Sequence, residues 1–190
     1  MTYLKNDKVT KSGILMSEYL ARALKKEIAN LPFVDFFNSK VTLVPTPKSS
    51  LLKPGTLWVP ERLTASMVKN GLGGSSEPCL ERTKAVSRSS GQRDGAKRPK
   101  ALHHYESTHV KKLLFEPEEI IPVDDVVTRG ATIMGGVNRL KEAFPNSKIR
   151  AFAMMRVMSD AEAFVDVKDP CVGTITMHGD YTSRKPQYPY

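Results

Sequence analysis

Two adjacent carboxylates, Asp124 and Asp125, stand where an apolar run meets a Thr/Gly-rich one: residues 120–132 read Ile-Ile-Pro-Val-Asp-Asp-Val-Val-Thr-Arg-Gly-Ala-Thr. The run Glu119 to Val127 reads as a buried strand, and the apolar positions Ile133, Val137, Leu140 and Phe144 repeat at helical spacing behind it. The carboxylates therefore fall at the C-terminal end of a strand, ahead of a helix N-terminus. Ligands of open α/β sheets bind at that edge. Unpaired N–H groups and the positive end of the helix dipole suit a phosphate there. Gly130 lets the backbone come close to it, and the hydroxyls of Thr128 and Thr132 add donors. Carboxylates repel phosphate but accept hydrogen bonds from sugar hydroxyls. The combination calls for a sugar with vicinal hydroxyls on one side and a phosphate on the other.

This pattern resembles the ribose-phosphate motif of the type I phosphoribosyltransferases, which bind 5-phosphoribosyl 1-pyrophosphate (PRPP). Val123 to Thr132 match it almost throughout. The resemblance implies that Asp124 and Asp125 take the ribose 2′- and 3′-hydroxyls, and that Thr128, Arg129, Gly130, Ala131 and Thr132 hold the 5′-phosphate. Val41-Thr42-Leu43-Val44-Pro45-Thr46-Pro47-Lys48 looks like the strand and pyrophosphate loop of the ComF-type branch, with Thr46, Lys48 and Ser49 facing the pyrophosphate. Leu80 to Thr83, Gln92-Arg93 and Arg98 resemble that branch's arginine-bearing loop, which makes Arg82, Lys84, Arg88 and Arg93 the candidates for a closing loop. The family also implies Mg²⁺ near Asp124 and Asp125, held through water, since this ion favours phosphate oxygens and keeps several waters. It implies a nitrogen acceptor, a homodimer, and a small hood from the terminal regions, here residues 1–35 and 160–190.

Four features depart from the family. Pro122 removes a ladder donor in the middle of the motif strand, which argues for a locally irregular or half-covered strand. Arg129 replaces a small residue and either adds a cation at the phosphate or points to solvent. The zinc ribbon frequent in the ComF-type branch is missing. Lys53-Pro54-Gly55-Thr56-Leu57-Trp58 stands where that branch carries Arg-Gly-Phe-Asn-Gln.

The elements that must position these residues are legible in part. A helix is expected over 13–28, with Ser12 as its cap and Ile14, Leu20, Leu24 and Ile28 on its apolar face. Val41 to Val44 reads as a strand ended by Pro45, and Pro60-Glu61 opens a helix that Gly71 ends. Leu80 to Val86 begins a strand, and Ile149 to Met158 reads as a central strand covered on both faces. Tyr181 to Tyr190 is polar and reads as a tail or a late cover. The alternation implies an α/β domain with a mainly parallel central sheet flanked by helices. All 190 residues suit a single domain, with a core over roughly 36–158 and a flexible basic loop over 83–100.

Composition sets further bounds. Apolar residues make up 40% and charged residues 26%, as in a soluble globular chain. No apolar run is long enough to span a bilayer, no apolar leader opens the chain, and two cysteines build neither a disulfide framework nor a four-cysteine zinc site. The expected setting is the cytoplasm, without a membrane partner. Net charge is +9, and residues 81–100 hold seven basic and two acidic residues, so this segment attracts anions. Gly130 to Gly136 has P-loop spacing but lacks the following lysine, and His103, His104, His109 and His178 have no metal-ligand spacing.

Two functions follow. One is a Mg²⁺-dependent phosphoribosyltransferase moving phosphoribose from PRPP to a nitrogen acceptor, a nucleobase or an amine. The other is a non-catalytic PRPP- or nucleotide-sensing protein, or a nucleic-acid-binding regulator acting through residues 82–100, with a role in DNA uptake or processing as the ComF-like variant. Aromatic residues are not interleaved with the basic run, so base stacking by that loop is not supported.

Overall fold

Strand β1 (Val41–Pro45) is buried along its whole length, as its β-branched run requires. It lies in the middle of a parallel sheet, between β2 (Ser75–Ser76) and β5 (Glu119–Val127). On the far side of β5 run β6 (Lys148–Ile149) and β7 (Phe152–Arg156), both parallel to it. The computed structural model describes residues 2–87, 99–157 and 170–187. Within them the fold is α/β, a five-stranded parallel sheet with helices on both faces.

Side-chain alternation along β1 and β5 separates two cores. Val41, Leu43, Ile121 and Val123 face one way. They pack with Leu4 of α1 (Thr2–Lys5), Ala21 and Leu24 of α2 (Met16–Glu27), and Val59, Leu63 and Met67 of α3 (Val59–Lys69). Val44 and Ile120 face the other way, against Leu140 of α5 (Ala131–Ala143) and Phe144. Burying each such Leu or Ile contributes about 1.5–3 kcal/mol. Helix α3 opens with proline in its first turn, and Gly71 follows it at φ +71°, as the sequence implies.

Helix α2 starts later than expected. Leu15, not Ser12, is its N-cap and offers no side-chain bond. The cap is supplied from a distance: Asp7 Oδ1 accepts from the Ser17 N–H at 2.8 Å, and Oδ2 pairs with Arg62 of α3 at 2.9 Å. Asp7 is buried at φ +43°, the only non-glycine residue at positive φ among those described. A few segments were not legible in the sequence. Phe33, Phe36, Phe37 and Phe152 form an edge-to-face cluster that anchors residues 33–37 over β7. A short helix, α4 (Ala101–Glu106), follows the basic segment. β3 (Leu80–Arg82), much shorter than the run to Val86 that was expected, pairs antiparallel with β4 (Thr108–Val110).

Pro122 proves compatible with a central strand. The Ile120 carbonyl accepts from Arg150 N–H at 3.1 Å, and the Val123 carbonyl accepts from Thr46 N–H at 2.9 Å. Even-numbered residues of β5 therefore direct their backbone polar groups toward β6 and β7. The N–H that Pro122 lacks would have pointed at residues 150–151, where the neighbouring strand is interrupted, and the same register resumes at Val123 opposite Phe152. The irregularity falls on the partner strand. The run from Ile149 is accordingly two short strands, and β7 is half-buried rather than covered on both faces. Met158 lies outside the described residues.

Of the two readings of the C-terminal segment, tail or late cover, its described residues fit the cover. β8 (Val172–His178) and β9 (Tyr181–Gln187) form an antiparallel hairpin. Ile175, Met177, Thr182 and Arg184 share its inner face. Arg184 Nη2 donates to the Val157 carbonyl at 2.6 Å, and Asp180 pairs with Lys100 at the start of α4.

Candidate functional site

β1 and β5 are neighbours in the sheet, yet the chain leaves them in opposite directions. After β1 it runs through α3 to β2, and after β5 through α5 to β6 and β7. Their adjacent C-terminal ends are a topological switch point, the place where an open parallel sheet leaves a crevice for a ligand. Asp124 and Asp125 are on one lip, and Thr46 to Ser49 on the other.

Asp124 is the most perturbed group there. Its Oδ1 accepts from the Thr46 hydroxyl at 3.0 Å and from the Asp125 N–H at 2.9 Å. No cation pairs with it among the described residues. Burial, and then the neighbouring carboxylate of Asp125, push its pKa up to about 8, against the smaller opposing effect of Thr46. Asp125 Oδ1 accepts from the Val126 N–H at 2.9 Å. Because adjacent strand residues alternate, the two carboxylates leave opposite faces of the sheet, with Asp124 on the α5 side.

The chain then turns into α5 through Gly130, at φ +84°, as N-cap. Among the described residues nothing accepts from the backbone N–H groups of Thr128, Arg129, Gly130, Ala131 or Thr132. These are the donors a phosphate needs. Thr128 and Arg129 are exposed, and Ala131 and Thr132 half-buried. The side of Gly130 where a Cβ would project is filled by Ile175 of the hairpin, 2.6 Å from that position, so the hairpin lies directly on this loop.

On the opposite lip Thr46 is buried and Lys48 and Ser49 are half-buried. Three of the four loop carbonyls are tied back. Trp58 Nε1 donates to the Thr46 carbonyl at 2.9 Å, Arg82 Nε to Lys48 at 3.0 Å, and the Val86 N–H to Ser49 at 2.8 Å.

Arg82 corrects the sequence reading. Expected on a closing loop, it is a buried strut. Its Nη1 donates to Ser107 Oγ at 2.7 Å, to Thr108 Oγ1 at 2.8 Å and to the His104 carbonyl at 3.2 Å, while Nη2 lies 3.2 Å from His104 Nδ1. Burial lowers its pKa to about 10. Burial, followed by the Arg82 charge, lowers that of His104 to about 4, so the imidazole is neutral and Nδ1 can accept. Lys84 is exposed, two residues before Val86. Arg88 and Arg93 lie outside the described residues. No group of three or more His, Cys, Asp or Glu side chains among the described residues could hold a metal, and none of the described helices is long and apolar enough to cross a membrane.

No family model and no curated protein matches the chain. Among solved structures, a hypoxanthine phosphoribosyltransferase from Staphylococcus aureus in an orthorhombic crystal is similar over 84% of each chain, at 13% identity and a TM-score of 0.41. The same enzyme in a tetragonal crystal is similar over 76% of this chain and 74% of its own, at 11% identity and a TM-score of 0.38.

Proposed function

We propose that the crevice between β1 and β5 binds PRPP and that the protein is a phosphoribosyltransferase acting on a nitrogen acceptor. The observation that carries this reading is the pairing, at one switch point, of a half-buried carboxylate with a run of N–H groups at the start of α5, neither having a cation or acceptor partner among the described residues. The carboxylates of Asp124 and Asp125 accept from the ribose hydroxyls. The N–H groups of Thr128 to Thr132, with the Thr128 and Thr132 hydroxyls, hold the 5′-phosphate, and exposed Arg129 adds a nearby cation. The Thr46–Ser49 loop, with the Lys48 ammonium, faces the pyrophosphate.

In the reaction the C1–O bond to pyrophosphate breaks, a C1–N bond forms, and the nitrogen releases its proton. Charge grows on the leaving pyrophosphate as the ribose becomes cation-like. Donors fixed beforehand at the loop, in a site shielded from water, stabilise that charge. Two carboxylates suit Mg²⁺, which takes one or two protein oxygens and completes its shell with water and phosphate. When bound it neutralises pyrophosphate charge.

The test is pyrophosphate release from PRPP with Mg²⁺ and a panel of nucleobases and amines. Release with one acceptor, lost in Asp124→Asn/Asp125→Asn, is expected. PRPP binding without release from any acceptor would instead favour the sensing role.

A further inference from the structure

We propose that Arg82 is a positioning residue which, together with Trp58, aims the backbone of the Thr46–Ser50 loop at the pyrophosphate. The inference rests on the PRPP reading and assigns a part within it to two residues that touch no substrate. A trans peptide is planar, so fixing one carbonyl fixes the direction of the next residue's N–H on the opposite side. Arg82 Nε holds the Lys48 carbonyl and thereby turns the Ser49 N–H away from itself. The Val86 N–H holds the Ser49 carbonyl and does the same for Ser50. Neither the Ser49 nor the Ser50 N–H has a partner among the described residues. Two successive N–H groups turned to one side form a concave anion site.

Arg82 can do this because it is itself held. It is buried, its fork is filled by Ser107, Thr108 and His104, and no carboxylate neutralises it among its described partners. α4, which carries His104, is pressed onto α5 at Gly135, where a Cβ would stand 2.7 Å from His104 Cβ and 2.8 Å from the Tyr105 nitrogen. The strut thus links the loop on one lip to the helix that starts at the other. Trp58 braces the same loop at Thr46 from the α3 side; the next residue, Pro47, has no N–H, so this bond fixes the path of the loop and aims no donor itself.

Arg82→Lys keeps the charge and loses the fork. Trp58→Phe keeps the ring and loses the N–H. Calorimetry with Mg²⁺ and two probes, inorganic pyrophosphate and ribose 5-phosphate, separates loop geometry from general damage. In Arg82→Lys, pyrophosphate affinity should fall about tenfold or more, the effect of losing a charge-assisted bond, with ribose 5-phosphate within about twofold. Trp58→Phe should shift the same ratio in the same direction by a smaller factor, and decides the matter if Arg82→Lys does not fold. Equal loss of both probes, or undiminished pyrophosphate binding, in the folded variants overturns the positioning role while leaving the PRPP reading intact. Wild-type protein that binds neither probe overturns both.

Discussion

Asp7 is buried and Asp124 half-buried, and the surroundings of the two carboxylates are opposite in kind. Asp7 has a complete set of partners: the Arg62 guanidinium on one oxygen and the first turn of α2 on the other. Asp124 has a hydroxyl, one N–H and a second carboxylate as its neighbour. The first arrangement is satisfied by the fold alone. The second leaves an oxygen to which solvent, a sugar hydroxyl or a cation can come. An acid the fold leaves without a cation partner marks a site better than burial does, since the structural acid is here the more deeply buried of the two.

Removing each carboxylate should therefore move stability in opposite directions. Asp7→Ala loses a distant helix cap and an ion pair, and places alanine at positive φ. Because Arg62 can turn to water, the loss should be about 2–3 kcal/mol, visible as a fall in Tm of several degrees. Asp124→Asn should instead stabilise the unliganded protein at pH 8, by about 1.4 kcal/mol for each unit by which the fold raises the Asp124 pKa. The sign follows from a folded pKa of about 8, above the ordinary value of 3.8. The folded state holds its proton more tightly than the unfolded chain, so the wild type loses stability as pH rises between those two values and levels off above. The asparagine variant should lack that slope, and its advantage should vanish at pH 4. A stabilising Asp7→Ala or a destabilising Asp124→Asn, by chemical denaturation, would remove the contrast.

A ligand that needs the ionised carboxylate sharpens the same comparison. PRPP affinity should rise by up to about tenfold per pH unit on approaching pH 8 from below, then flatten, and Asp124→Asn should abolish the rise. Calorimetry across pH 6–9 reads it directly, after correction for the ligand's own phosphate titration. Thr46→Val should have the smallest effect. Loss of its bond to Asp124 should cost about 1 kcal/mol at pH 8, less at pH 5, and push the Asp124 pKa higher still.

How far the sequence disclosed all this differs between the two lips. The Asp124–Thr132 lip is continuous in the chain, so strand, carboxylates, turn and helix could be read in order. The other lip depends on groups remote in sequence: Trp58, Arg82 and Val86 converge on four residues of loop. Arg82 sits in a basic segment and reads as solvent-facing. What buries it is a set of neutral acceptors at 104, 107 and 108, which have no charge pattern to betray them. β6 and β7 read as one strand because their pairing with β5 breaks opposite Pro122, a residue remote in sequence. The hairpin is hard to read although Ile175 and Met177 alternate with Thr174 and Thr176, because its outer face beyond Val172 is polar and its returning strand carries no Val, Ile, Leu or Met. Asp7 escaped notice since its partners, Ser17 and Arg62, lie on two different helices.

The most direct measurement is thermal unfolding with and without PRPP and Mg²⁺, for wild type and Asp124→Asn/Asp125→Asn, each against its own unliganded baseline. At about a hundred times Kd, binding should stabilise the wild type by ~2.7 kcal/mol, a Tm rise of roughly 5–10 °C. The account predicts that rise in the wild type and its loss in the double variant. A folded wild type that PRPP does not stabilise, or a double variant that keeps the full rise, would contradict it.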